Sequence, residues 1–146
     1  MQTTVPEVLA RVMANLPISH DPTLTILKGH LLVEEQLNAA VAVRVTEPKY
    51  LLDARLEFDQ LLSIAKAVYF RTEDSWVWGG IKKLNLLRNL LAHNLEPPEL
   101  DTKTKELVKL VEDHMGTLPG SSPDRLRASI AMLAAQILVY REMHEV

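Results

Sequence analysis

Apolar residues recur along this chain at the three- and four-residue spacing of helices, and prolines and glycines mark the breaks. Residues 6–16 form the first such stretch, closed by Pro17. Asp21-Pro22 offers an N-cap followed by proline at the first helical position, opening a long helix from Thr23 to about Val45. That helix is expected to stop ahead of Glu47-Pro48, because the residue before proline avoids helical angles. Tyr50 to Val68 repeats the period, with Tyr50, Ala54, Phe58, Leu61, Ala65 and Val68 on one face. Tyr69 to Gly80 mixes polar residues with Trp76, Trp78 and Gly79-Gly80, and is expected to be a loop. The next helix runs from about Ile81 to Leu95 and is stopped by Pro97-Pro98. Asp101 to Met115 follows, striped with Leu107, Leu110 and Val111 and ended by Gly116. After a turn-rich stretch, Asp124 opens the last helix, Arg125 to about Met143, which is apolar on more than one side. No strand pattern competes. The expected fold is all-α: a compact bundle of five to six helices forming one domain over residues 1–146.

Composition narrows the function more than the fold. Hydrophobic residues are 47% and charged residues 24% of 146, an ordinary globular mixture. Sixteen Lys and Arg against 19 Asp and Glu give a formal charge of −3. That excludes a broadly basic nucleic-acid coat and leaves room for a local basic site. The chain has no cysteine, which removes disulfides, thiol catalysis and Cys-type zinc sites. The start carries no basic, then apolar, leader pattern. The longest apolar run is Ile130 to Ala135, against the roughly 20 residues of a membrane span. The expected address is the cytoplasm, away from membranes.

Polar residues interrupt two of the helices. On the second, Leu24, Leu27, Leu31, Val41, Ala42 and Val45 fall in one arc, with Glu34, Glu35 and Asn38 in or beside it. Carboxylates on a core-facing stripe are costly unless paired or wet. They read as a sign of loose packing, as rim residues paired with arginine, or as a polar patch facing a cleft or a partner subunit. His30 and Glu34 are four apart and share a face, but no HExxH motif or further histidine cluster accompanies them. No metal and no cofactor are expected. His20 falls in a loop, and His114 and His144 fall near helix C-termini, where a cationic imidazole is favoured. Trp76 and Trp78 are expected to cover the core rather than to stack bases.

The helix from Ile81 to Leu95 carries the strongest signal. Leu84, Leu87, Leu91 and Leu95 form a core stripe. Lys82, Asn85, Asn89 and His93 fall on the opposite side, and Arg88 falls at the edge between the two. This face is either ordinary solvated surface or, because Leu86 and Leu90 lie beside the polar groups, a subunit contact.

Arg88-Asn89-Leu90-Leu91-Ala92-His93 resembles the motif of the HEPN superfamily: Arg, a polar residue, several further residues, His. The wider stretch from Lys83 to Asn94 is similar to the branch found in small bacterial plasmid and chromosomal proteins, and to mannitol-operon-repressor-like proteins. The specific match spans about 15 residues, a short motif by itself. The all-α layout resembles the family over most of the chain. The resemblance implies a helical bundle that pairs as a homodimer through the motif helix. It implies a metal-independent endoribonuclease acting on RNA, of the toxin or defence type, restrained by an antitoxin or regulatory partner. Its alternative is a relative that has lost catalysis and serves as an interaction or regulatory module. Arg88 and His93 match the family's catalytic pair and Asn89 its supporting polar position. Lys82 and Asn85 are the expected substrate contacts, and Glu34 and Glu35 the accessory acids.

These residue types suit the reaction. RNA is cut without metal when its 2′-hydroxyl attacks the adjacent phosphorus, leaving a 2′,3′-cyclic phosphate. Histidine can serve as the base or the acid near neutrality. A guanidinium fork matches the charge gathering on the phosphoryl oxygens. The motif offers one histidine per chain, so a two-fold dimer would bring two copies of His93 together as base and acid.

Overall fold

The computed structural model describes residues 5–16, 18 and 20–143. Pro17 and His144 lie outside them. The described residues form seven α-helices: α1 Val5–Asn15, α2 Pro22–Ala42, α3 Pro48–Asp53, α4 Phe58–Tyr69, α5 Trp76–His93, α6 Leu100–Met115 and α7 Ser122–Met143. No strand occurs among them, and the fold is an all-α bundle. No helix among the described residues is long and apolar enough to cross a membrane.

The architecture follows from α7. Leu133, Ile137 and Tyr140 are buried on one side of the helix, and Ala131, Ala135 and Leu138 are buried on another. A helix apolar on more than one side must be covered on more than one side. α1, α2, α5 and α6 pack around it, and α4 lies across α2 and α5. Two glycines set the spacing. A Cβ on Gly29 of α2 would stand 2.7 Å from Ile130 Cγ2, and one on Gly80 of α5 would stand 2.8 Å from Leu133 Cδ2. Both helices therefore sit close on neighbouring residues of α7, which brings α2 and α5 into mutual contact.

Local chemistry accounts for the helix ends. The Asp21 carboxylate accepts the Thr23 N–H at 3.0 Å and caps α2 as expected. α6 ends at Gly116, whose φ of 91° suits a residue without Cβ. At the start of α7, Asp124 accepts from both the backbone N–H and the hydroxyl of Ser121.

Several expectations are corrected. The stretch from Tyr50 to Val68 is two helices, which raises the count from six to seven. Tyr50 and Leu52 are exposed, so no burial holds α3 in line with α4. The chain turns through Arg55 at φ 48° and restarts where Gln60 accepts the Glu57 N–H at 2.9 Å. The expected loop up to Gly80 is helical from Trp76 onward. Trp78 is buried and stacks on Tyr140, so packing outweighs the roughly 1 kcal/mol that each glycine costs a helix. α2 stops at Ala42 rather than Val45, and its buried stripe is Ile26, His30, Val33, Leu37 and Val41. Leu24, Leu27, Leu31 and Val45 are exposed instead. Leu95, placed in the core stripe of the motif helix, lies beyond the helix end and is 95% exposed.

Candidate functional site

α2, the start of α4 and the middle of α5 enclose a polar cleft of about 390 Å³. His30 and Glu34 come from α2, Asp59 from the first turn of α4, and Asn85, Arg88 and Asn89 from α5. Phe58 forms an apolar wall, its ring 4.2 Å from the His30 ring, centre to centre.

Three side chains of the cleft form one hydrogen-bonded chain that runs from the surface inward. Asn85 Nδ2 donates to Asp59 Oδ1 at 2.9 Å, and Asn85 Oδ1 lies 3.0 Å from His30 Nε2. A carboxylate only accepts, so Asp59 fixes the orientation of the amide. The amide oxygen must then receive a proton, which places hydrogen on His30 Nε2 and a lone pair on Nδ1. Nδ1 lies 4.0 Å from Glu34 Oε2, on the far side of the ring from Asn85. Burial lowers the pKa of His30 below its ordinary value. The Asn85 hydrogen bond and the Glu34 charge oppose that, and Arg88 adds to it.

The expected site residues divide between this cleft and the open surface. Arg88 is exposed and lines the cleft, its Nη1 donating to Asn89 Oδ1 at 3.4 Å. Asn89 is half-buried beside it. His93 is the last residue of α5, exposed, and not part of the cleft lining. Five residues of helix rotate it about 140° from Arg88, so within one chain the two motif residues diverge. Lys82 is exposed and also outside the lining. Asn85, read as a polar residue on the open face, is 7% exposed and bonded at both ends of its amide. The two accessory acids separate as well. Glu34 is half-buried in the cleft, whereas Glu35 faces a second groove with Arg11, Lys28 and Arg141.

His30 is the cleft residue that the motif does not include. Its signal in the sequence was its place in the apolar period Ile26, His30, Val33, Leu37, where only a hydrogen-bonded imidazole is tolerated. The acceptor of that hydrogen bond lies 55 positions away, beyond any local pattern. Glu34, Glu57 and Asp59 outnumber Arg88 around the cleft, so with His30 neutral its lining carries net negative charge. Among the described residues no group of three or more His, Asp or Glu side chains is placed to hold a metal ion. Trp76, in the first turn of α5, stacks on His114, which in turn bonds the Leu110 carbonyl at 3.0 Å. No family model, curated protein or solved structure matches the chain.

Proposed function

We propose that this chain is a HEPN-like, metal-independent endoribonuclease that works in the cytoplasm as a homodimer, as a toxin or defence factor. The carrying observation is the placement of the Arg88, Asn89 and His93 run. Arg88 and His93 are exposed on α5 and Asn89 is half-buried between them, while Asn85 in the same cleft ties the helix to α2 and α4. Arg88 presents a guanidinium at a cleft mouth, suited to a phosphoryl group. His93 stands free to reach a second molecule, and Leu86, two turns earlier on the same face of α5, is 45% exposed, which suits a subunit contact. A two-fold pairing through α5 then joins an Arg88 cleft of one copy with the His93 of the other.

The test is direct. Full-length protein is incubated with a mixed-sequence RNA in EDTA, and the products are read by mass. Cleavage to 2′,3′-cyclic phosphate ends, lost in both Arg88→Ala and His93→Ala, supports the reading. Cleavage only with added metal overturns it.

A second reading has its own support. The carboxylates of Glu34, Glu57 and Asp59 disfavour a polyanion at the cleft. They favour a non-catalytic module whose Arg88 face docks a regulatory partner. A parent protein inert toward RNA in EDTA and in metal alike supports this alternative.

A further inference from the structure

We propose that His30 is the proton acceptor of the site, so that each catalytic centre combines His30 and Arg88 of one chain with His93 of a second copy. The inference rests on the ribonuclease reading and changes its division of labour. Two copies of His93 are no longer needed as base and acid, because the cleft holds a histidine of its own.

The geometry is that of a base held ready. Asp59 orients Asn85, and Asn85 accepts the Nε2 proton of His30, which leaves the lone pair on Nδ1. Packing against Phe58 fixes the plane of the ring. The charged groups around this imidazole are Glu34 from α2, Glu57 and Asp59 from the start of α4, and Arg88 from α5. The α7 side is apolar, with Ile130 against Gly29. Once protonated at Nδ1, the ring gains Glu34 on that side and retains Asp59 through Asn85 on the other. A buried histidine with no catalytic duty needs one hydrogen-bond partner. This one has a relay two residues deep and a carboxylate beside the opposite nitrogen.

The step balances as follows. The 2′-hydroxyl gives its proton to Nδ1, directly or through one water, and the O2′–P bond forms. The P–O5′ bond breaks, and O5′ takes a proton from His93 of the second copy. Arg88 faces the phosphoryl oxygens. The products are a 2′,3′-cyclic phosphate and a 5′-hydroxyl, and both imidazoles then exchange protons with water.

The experiment compares full-length parent, His30→Gln and Glu34→Gln on a mixed-sequence single-stranded RNA in EDTA across a pH series. Glutamine keeps an N–H for Asn85 and has no titrating nitrogen. The expected result for His30→Gln is a fall in kcat of about 100-fold or more, with KM within about twofold and the acid limb of the pH profile flattened. In Glu34→Gln the acid limb moves to lower pH, because a negative neighbour that favours the imidazolium is gone. An active parent whose His30→Gln variant matches it in rate and acid limb overturns the inference and leaves the ribonuclease reading in place. A parent inert in EDTA overturns the ribonuclease reading and this assignment with it. If His30→Gln does not fold, the Glu34→Gln profile decides: an acid limb that stays in place overturns the inference.

Discussion

The imidazole of His30 and the carboxamide of Asn85, 55 positions apart, meet at 3.0 Å inside the bundle. That contact joins α2 to α5 through polar groups in a mainly apolar interior, and it continues to the Asp59 carboxylate at the surface. It also orders the motif helix. Asn85 and Arg88 are three apart and share a side of α5, so anchoring the first directs the second into the cleft.

The anchoring predicts a sharp contrast between two asparagines on one helix. Asn85→Ala removes the acceptor of a buried N–H and is expected to destabilise the protein by about 1–3 kcal/mol. Asn89→Ala touches a half-buried residue bonded only to an exposed guanidinium, and is expected to change stability by less than about 0.5 kcal/mol. Urea titration of both variants against the parent measures the difference. Equal losses would show that Asn85 is no anchor.

The same histidine makes stability depend on pH. In the folded chain burial lowers its pKa, while the unfolded chain titrates near the ordinary 6.5. Between those values the unfolded state binds the proton and the folded state does not, so stability rises with pH. The contribution is fully present above about pH 6.5 and is lost as pH falls through the lowered folded value. Urea midpoints of the parent should fall on going from about pH 7.5 to 5.5 by more than those of His30→Gln. Parallel profiles would remove His30 as the cause. Burial raises the pKa of Tyr69 and Tyr140, so a separate loss is expected above about pH 10.

The sequence revealed the helical class and most helix positions because both rest on local rules. Asp21-Pro22 and Gly116 act within a few residues, and α7 declares its central place by being apolar on more than one side. The failures lie where distant contacts decide. Gly79 and Gly80 read as a break, but Gly80 is where α5 touches Leu133, and no local rule names Leu133. Leu24, Leu27 and Leu31 read as core because leucine usually is, yet Gly29 and His30 turn the other face of α2 inward. The site divided in the same way. Arg88 and Asn89 are neighbours in sequence and line the cleft, while His93, five residues after Arg88, lies outside its lining. The helical wheel put Asn85 on the open face and gave no means of pairing it with His30 or Asp59.

The glycine seat of α2 predicts a coupled pair of substitutions. Gly29→Ala would push a methyl group against Ile130, a β-branched side chain with little freedom to yield, and is expected to cost about 1–3 kcal/mol. Ile130→Ala alone opens a cavity and is expected to cost about 2–5 kcal/mol. Together the new methyl occupies part of the space vacated, so the double variant should lose less than the sum. A double-mutant cycle in urea measures the coupling. Additive losses would mean that the two helices are free to move apart.

The divergence of Arg88 and His93 on α5 predicts how inactive variants should combine. If each centre takes its cleft from one copy and His93 from the other, Arg88→Ala and His93→Ala homodimers are both inactive. Unfolding the two together and refolding them yields mixed dimers. In a mixed dimer one centre loses both residues, while the other takes Arg88 from the His93→Ala chain and His93 from the Arg88→Ala chain. Random pairing makes half of the dimers mixed, each with one intact centre of two, so about one quarter of parent activity should return. Centres built within single chains would regain nothing, since every chain in the mixture lacks one residue. Leu86→Asp places a charge in the expected subunit contact, so it should lower the mass in solution to that of a monomer and abolish cleavage with it. A monomeric Leu86→Asp variant that still cuts RNA would refute the shared site and return catalysis to a single chain, where His30 and Arg88 already face the same cleft.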